Sequence, residues 1–563
     1  MHTRATHLIL LFSLVLSSCG ESPSDEASRN TSPTSSLVAD SLSGEIEALL
    51  HRHTSVLASD EFEGRAPATP GEEKTIAYLQ EEFARLGIGP GNGDSYFQAV
   101  AVTELNTSSD ALLYLQGSDY EATFIYGEQM VVGTQQQLPF ITVQGSDVVF
   151  VGYGIVAPER DWNDYAGIDV TDKTVIILVN DPGYATQDPA LFNGNAMTYY
   201  GRWTYKYEEA ARQGAAAALI VHETGPAGYG WEVVNNSWSG PQIGLEAENL
   251  NGHRTEIEGW LTLDSAEALF DGAGLDYQAL KAAAAEPGFI AVPLADIKAS
   301  ASIENSVRTS TSQNVIAAIP GTRRPDETII YTAHWDHLGI NNEIEGDNIW
   351  NGAADNATGT AGLLALAYLH GRVAPPERTI VFLSVTAEES GLLGSQWYAE
   401  HPLYPIPTTV ANINMDILNT VGRARDVIVV GARSSELEDY LQEAAAARDR
   451  YIVAEPNPER GYYYRSDHFN FAKVGVPALY AESGEDNIEF GRDYGASQAQ
   501  DYTDNRYHTP YDEYDPAWNF SGAVEDILIY FEIAQKLSQE TTFPEWFEGN
   551  EFKSLRDESS NQR

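Results

Sequence analysis

The chain holds 563 residues, enough for two or three domains that each bury a core, and its 43% hydrophobic and 10% aromatic content excludes a disordered chain. Lys and Arg number 33 against 82 Asp and Glu, a formal charge of -49 that repels phosphate backbones, so nucleic acid is not an expected partner. The single cysteine, Cys19, rules out an intramolecular disulfide and any metal site built on thiolates.

The chain opens with Arg4, an apolar run from Leu8 to Leu16, then Ser17, Ser18 and Cys19, the layout of a short secretory signal over residues 1–18. Leu16-Ser17-Ser18-Cys19 resembles the lipobox of bacterial lipoproteins, so Cys19 is expected to carry lipid and anchor the chain to a membrane. Gly20 in place of Asp implies the outer membrane of the cell envelope as the destination. Residues 19–41 are rich in Ser, Pro and Asp and are predicted to be a flexible tether.

Folding is expected to begin near Leu42, with helical spacing from Glu45 to Leu57 and from Gly71 to Leu86 around the Gly/Pro-punctuated loop EGRAPATPGE. Residues 42–112 form one part of a first domain. Residues 113–292 change character to short β runs, DVVFVGYGI, TVIILVND and AALIVHET, with one helix around TYKYEEAARQG, the pattern of an inserted β-rich domain. From residue 293 to 545 strands alternate with helices (NVIAAIPG, ETIIYTAH, a helix at 357–370, RTIVFLSVTA, a helix from Gly394, ANINMDI, DVIVVG, PALYAES), which predicts an α/β sheet with helices on both faces. Residues 546–563 are predicted to be a frayed tail.

In such sheets functional groups gather beyond the carboxyl ends of strands. There the sequence places His334 and Asp336 (AHWDHLG), Asp355 on a glycine-rich turn (NGAADNATG), Glu388 and Glu389 (TAEESG), Asp416 (NINMDI), and Tyr507 and His508 (RYHTPYD). Positions i and i+2 of an extended strand share a face, so Asp336 is expected to hold the His334 ring by its second nitrogen. Adjacent carboxylates repel unless a cation or a proton separates their roles, so one of Glu388 and Glu389 can bind metal while the other takes a proton. Imidazole and carboxylate ligands without thiolate suit a two-metal hydrolytic site, with zinc the leading metal. Isolated histidines such as His222, His370 and His401 are read as structural.

The ordered blocks AHWDHLG, GAADNATG, AEESGLLGS, NMD, RSDHFNF and YHTPYD closely resemble those of the co-catalytic di-zinc aminopeptidases, whose clan also holds glutamate carboxypeptidases, glutaminyl cyclases and transferrin receptors. The resemblance covers about residues 45–110 and 300–540; FVGYGIVAPERDWNDYAGIDV with KYEEAARQGAAAALIVHET resembles a protease-associated domain. It implies a three-layer mixed-sheet zinc exopeptidase domain carrying that insertion, with two Zn2+ ions. Asp355 would bridge them, His334 and Asp416 completing one set, Glu389 and His508 the other. The catalytic roles it implies are general base for Glu388, orientation of His334 for Asp336, and polarisation of the scissile carbonyl for Tyr507. Arg465 would meet a substrate carboxylate or carbonyl, with Tyr462–Tyr464 as an apolar wall. The expected activity is removal of N-terminal residues from peptides. Alternatives are a glutamate-carboxypeptidase-type enzyme for acidic dipeptides, against which the scarcity of Arg and Lys near the motifs counts; a glutaminyl cyclase, against which the full ligand set counts; and a silent surface binding protein.

Overall fold

The computed structural model describes residues 33–342 and 345–561. Cys19 and the signal segment lie outside the described residues.

The main sheet is built around strands Arg378–Val385, Arg324–His334, Thr409–Asn414 and Ala478–Ser483, which pair in parallel in that order. The first is buried at every position, as expected of a parallel strand covered on both faces. Antiparallel partners flank them. Val292–Ile319 pairs with Arg378–Val385 and with Phe97–Thr107 on one side, and Asp426–Val429 pairs with Ala478–Ser483 on the other. Helix Gly359–His370, apolar almost all round and with Tyr368 alone not buried, packs on one face with Ser43–Leu57, Pro70–Arg85, Leu437–Ala446 and Ser521–Gln539. Helices Leu393–Glu400 and His468–Lys473 cover the other face through Tyr398 and Phe471, which completes the three layers.

A second sheet has its own core. Leu112–Gln116, the first part of Val292–Ile319, Phe140–Phe150, Thr174–Leu178, Ala217–Val221, Ile257–Leu261 and Met130–Gly133 pair in that order, with helix Trp203–Arg212 against them. The two sheets share the 28-residue strand Val292–Ile319. Up to Glu304 it pairs with Phe140–Phe150, and from Asn305 with Phe97–Thr107, so the sequence-based boundary after 292 falls inside one continuous strand. The insertion also returns Pro241–Leu245 as an edge strand to the main sheet.

Two expectations at the ends need correction. Pro33–Ser41, placed in the tether, is a helix whose Ala39 joins the core. The tail contains helix Lys553–Ser560, and its Arg556 is fully buried because the guanidinium donates to the carbonyls of Thr409 at 2.9 Å and Val410 at 3.2 Å.

Candidate functional site

The parallel strands end on one rim, and their carboxyl-terminal loops supply the site. His334 closes Arg324–His334, Glu388 and Glu389 follow Arg378–Val385, and Asp416 follows Thr409–Asn414. Asp355 precedes Gly359–His370, and His508 follows helix Arg492–Asn505 in a left-handed conformation, φ 53°.

These side chains converge. His334 Nε2 lies 3.2 Å from Asp355 Oδ1 and 3.3 Å from Asp416 Oδ1. His508 Nε2 lies 3.3 Å from Asp355 Oδ2 and 3.0 Å from Glu389 Oε2. Asp355 therefore turns one oxygen to each imidazole, which makes two donor groups sharing a carboxylate. Four ligands at about 2.05 Å around tetrahedral zinc stand about 3.3 Å apart, so these separations fit the edges of such polyhedra. Nε2 of His508 is buried and hydrogen-bonds neither neighbouring carboxylate, as befits donors aimed at a common point. The residues present fit two zinc ions.

The local field attracts cations. Burial opposes a charge on His334, yet Glu388, Asp416 and Asp355 outweigh it and hold the ring well above the usual histidine range. His508 is pushed up to about 10, because Glu389 and Asp355 overcome its desolvation. For Asp355 the two imidazoles overcome burial and hold the carboxyl well below its usual range, and for Glu389 the same balance, with His508 and His337 opposing burial, gives about 2. Glu388 goes the other way: burial first, then Asp416, Glu389 and Asp467, push it well above the carboxylate range against the pull of His334. Two adjacent glutamates thus take opposite protonation preferences, the separation a base and a ligand require.

Asp336 acts differently from the alternation argument. Its backbone carbonyl accepts from His334 Nδ1 at 3.2 Å, while its carboxylate stands 3.7 Å from that nitrogen and instead accepts the backbone N–H of Glu388 at 3.1 Å and of Glu389 at 3.3 Å. One carboxylate thus orients the loop that carries Glu388 and Glu389. Tyr507 stacks on His508 with centroids 3.9 Å apart, and its phenol is raised by burial and by Asp355 against the charge of Arg465.

Arg465 is exposed, with its guanidinium 5.1 Å over the Tyr462 ring. Its charge acts on Tyr507 and also on Arg202 and Tyr229 of the insertion, so the fold brings a second arginine to a place where the nearby sequence has few. Tyr463 and Tyr464 are not a pocket wall: they are buried with Met197 and Phe469, and Tyr464 donates to Met197 O at 3.3 Å, docking the insertion.

Four positioning residues escaped sequence reasoning. Buried Asp512 of the YHTPYD block accepts the backbone N–H of Ala354 and Asp355, both at 3.0 Å. Ser466 donates to Asp416 Oδ2 at 2.7 Å. Arg65, in the EGRAPATPGE loop, donates to the carbonyls of Trp335, Leu57, Asn351 and Gly352 at 2.9, 2.7, 2.6 and 2.8 Å. His337 touches Glu389. The block membership of Asp512 and Ser466 was the available signal; Arg65 had none beyond its loop.

Residues 314–532 match the model of Peptidase family M28. It is 35% identical over 168 residues to Aminopeptidase NAALADL1 of Mus musculus, covering 28% of this chain and 20% of that protein. It is 24% identical over 373 residues to a probable glutamate carboxypeptidase, AMP1 of Arabidopsis thaliana, covering 61% of this chain and 47% of that one. The chain thus spans about a fifth of the first relative and about half of the second. Among solved structures, an aminopeptidase from Aneurinibacillus sp. strain AM-1 aligns with 89% of this chain and 96% of its own at 19% identity and a TM-score of 0.49.

Proposed function

We propose that the chain is a two-zinc exopeptidase that removes residues from the free N-termini of peptides. The observation that carries this is the division of Asp355 between His334 and His508, with Asp416 and Glu389 at the outer ends. Bound zinc supplies a Lewis acid for the scissile carbonyl and an acidified water. Glu388 takes a proton from the attacking water at its carboxylate and gives it to the departing amine, a task its raised affinity for protons suits. The Tyr507 phenol, held protonated, donates to the oxygen on which negative charge develops. The inserted domain is read as a protease-associated domain that narrows access to short peptides. By the Leu16–Cys19 sequence, the protein is an outer-membrane lipoprotein, which mass spectrometry of the mature N-terminus checks.

One observation favours a second reading. Arg202 and Arg465 together offer positive charge that a substrate carboxylate would meet, so the acidic-dipeptide alternative regains ground. A panel of aminoacyl-p-nitroanilides alongside N-acetylated acidic dipeptides, with zinc-loaded and chelated protein, separates the two. Chelator-sensitive release from free N-termini alone supports the aminopeptidase; release from blocked dipeptides overturns it in favour of the carboxypeptidase; no zinc-dependent hydrolysis removes both.

A further inference from the structure

We infer that His337, a third imidazole in the site, is a positioning residue that holds Glu389 as a one-oxygen ligand and thereby sets the affinity of the metal position shared by Glu389 and His508. The inference rests on the two-zinc reading above. His337 Nδ1 lies 2.6 Å from Glu389 Oε1, while Oε2 of the same carboxylate lies 3.0 Å from His508 Nε2. The two oxygens are therefore divided, one toward an imidazole that donates and one toward an imidazole that ligates.

Distance separates the two kinds of contact. Two ligands of one tetrahedral zinc stand about 3.3 Å apart, whereas a hydrogen bond from nitrogen to a carboxylate is about 2.7 to 2.9 Å long. The His337 contact, at 2.6 Å, belongs to the second kind, whereas His508 Nε2 stands 3.3 Å from Asp355 Oδ2 and 3.0 Å from Glu389 Oε2 without a hydrogen bond to either. A carboxylate only accepts, so Nδ1 carries the proton. Nδ1 makes the ring's hydrogen bond to Glu389, while Nε2 is buried without a hydrogen-bond partner.

The ring is held in place for this. Its backbone N–H donates to Arg65 O at 3.3 Å, and it meets His508 edge to face at 5.7 Å. Behind it stands Gly352 with φ 54°, where a Cβ would come within 2.4 Å of the His337 ring carbon Cγ and within 2.4 Å of Asp355 O. The glycine leaves the space that the ring fills, and Arg65 holds the Gly352 carbonyl at 2.8 Å. A ligating carboxylate fixed by an outer hydrogen bond loses about 10- to 100-fold in metal affinity when that partner is removed.

The test is zinc binding by competition with a chromophoric chelator, with elemental analysis of zinc per chain, on wild type, His337→Ala and His337→Asn. Asparagine puts an amide N–H where Nδ1 stands but offers metal a poor ligand. The expected result is two zinc ions for wild type, a loss of about 10- to 100-fold in one of two affinities for His337→Ala, and recovery to within a few-fold for His337→Asn. Equal loss in both variants would make His337 a direct ligand or a packing residue and overturn the inference, as would unchanged binding in His337→Ala. If His337→Ala does not fold, the asparagine variant decides alone, since a ligand role predicts its loss of one site. Wild type that binds no zinc would instead sink the metallopeptidase reading itself.

Discussion

Arg65 offers the sharpest check on how the site is held. Its guanidinium is fully buried, pushed down to about 10 by desolvation against the opposing pull of Asp512, Asp336, Asp355 and Glu389, and so remains a cation at neutral pH. It donates four hydrogen bonds to carbonyls of three separate segments: Leu57 at the end of a helix, Trp335 between His334 and Asp336, and Asn351 with Gly352 just before Asp355. A hydrogen bond from a charged donor contributes about 1.5 kcal/mol or more, so the four sum to about 6 kcal/mol, and removal leaves those buried carbonyls unsatisfied. Because the bonds share one donor group they do not add independently, and about half of that sum is the floor expected for Arg65→Met, which keeps most of the stem. Lysine keeps the charge but not the planar fork, so Arg65→Lys should recover only part of the loss. Urea unfolding of the full chain, followed by far-UV circular dichroism, measures both variants. A loss below about 3 kcal/mol in Arg65→Met, or a lysine variant as stable as wild type, would refute the reasoning.

Other expectations follow from particular side chains. Glu388→Gln preserves shape and removes the proton carrier, so kcat should fall by about 10² to 10⁴ with zinc content unchanged, as steady-state kinetics and elemental analysis will read. His370 is buried beside Tyr331 and Gln535, and desolvation lowers it to about 3. Below its ordinary value of about 6.5 the unfolded chain takes up a proton that the folded chain refuses, so this residue's contribution, complete above pH 6.5, is lost as pH falls toward 3. Relative to wild type, His370→Gln should therefore lose about 2 kcal/mol less stability between pH 6.5 and 5, and identical pH profiles would contradict the burial argument. Arg556→Ala removes two hydrogen bonds to the opening of strand Thr409–Asn414, a loss of about 3 kcal/mol by unfolding, where a frayed tail would give none.

What the sequence made legible and what it did not divides along a physical line. The parallel strands announced themselves because burial on both faces demands unbroken apolar runs, as in RTIVFLSV, and His334, Glu388, Glu389 and Asp416 could be located because each sits within a few residues of such a strand's end. Residues whose role depends on distant chain segments gave no such signal. Arg65 reaches Trp335 across 270 positions, and Arg202 comes to Arg465 only because the insertion docks through Tyr199, Tyr464 and Phe469. Buried cations satisfied by backbone carbonyls, Arg65 and Arg556, look in composition like surface charge, which is why the tail read as frayed.

His337 shows the same limit at short range. It stands three positions after His334, and in an extended strand odd spacing sends a side chain to the opposite face, so alternation alone turns it away from the site. The strand, however, ends at His334. Beyond that point the period of two no longer applies, and the contacts of His337 with Arg65 and Glu389 are made from a turn for which the neighbouring Gly352 leaves room. Alternation is thus reliable up to the last ladder hydrogen bond and silent one residue later, which in parallel sheets is where the chemistry begins. The Asp336 carboxylate obeys the same limit: predicted to face the imidazole, it turns instead to the N–H groups of Glu388 and Glu389, because those donors stand unpaired where their own strand stops.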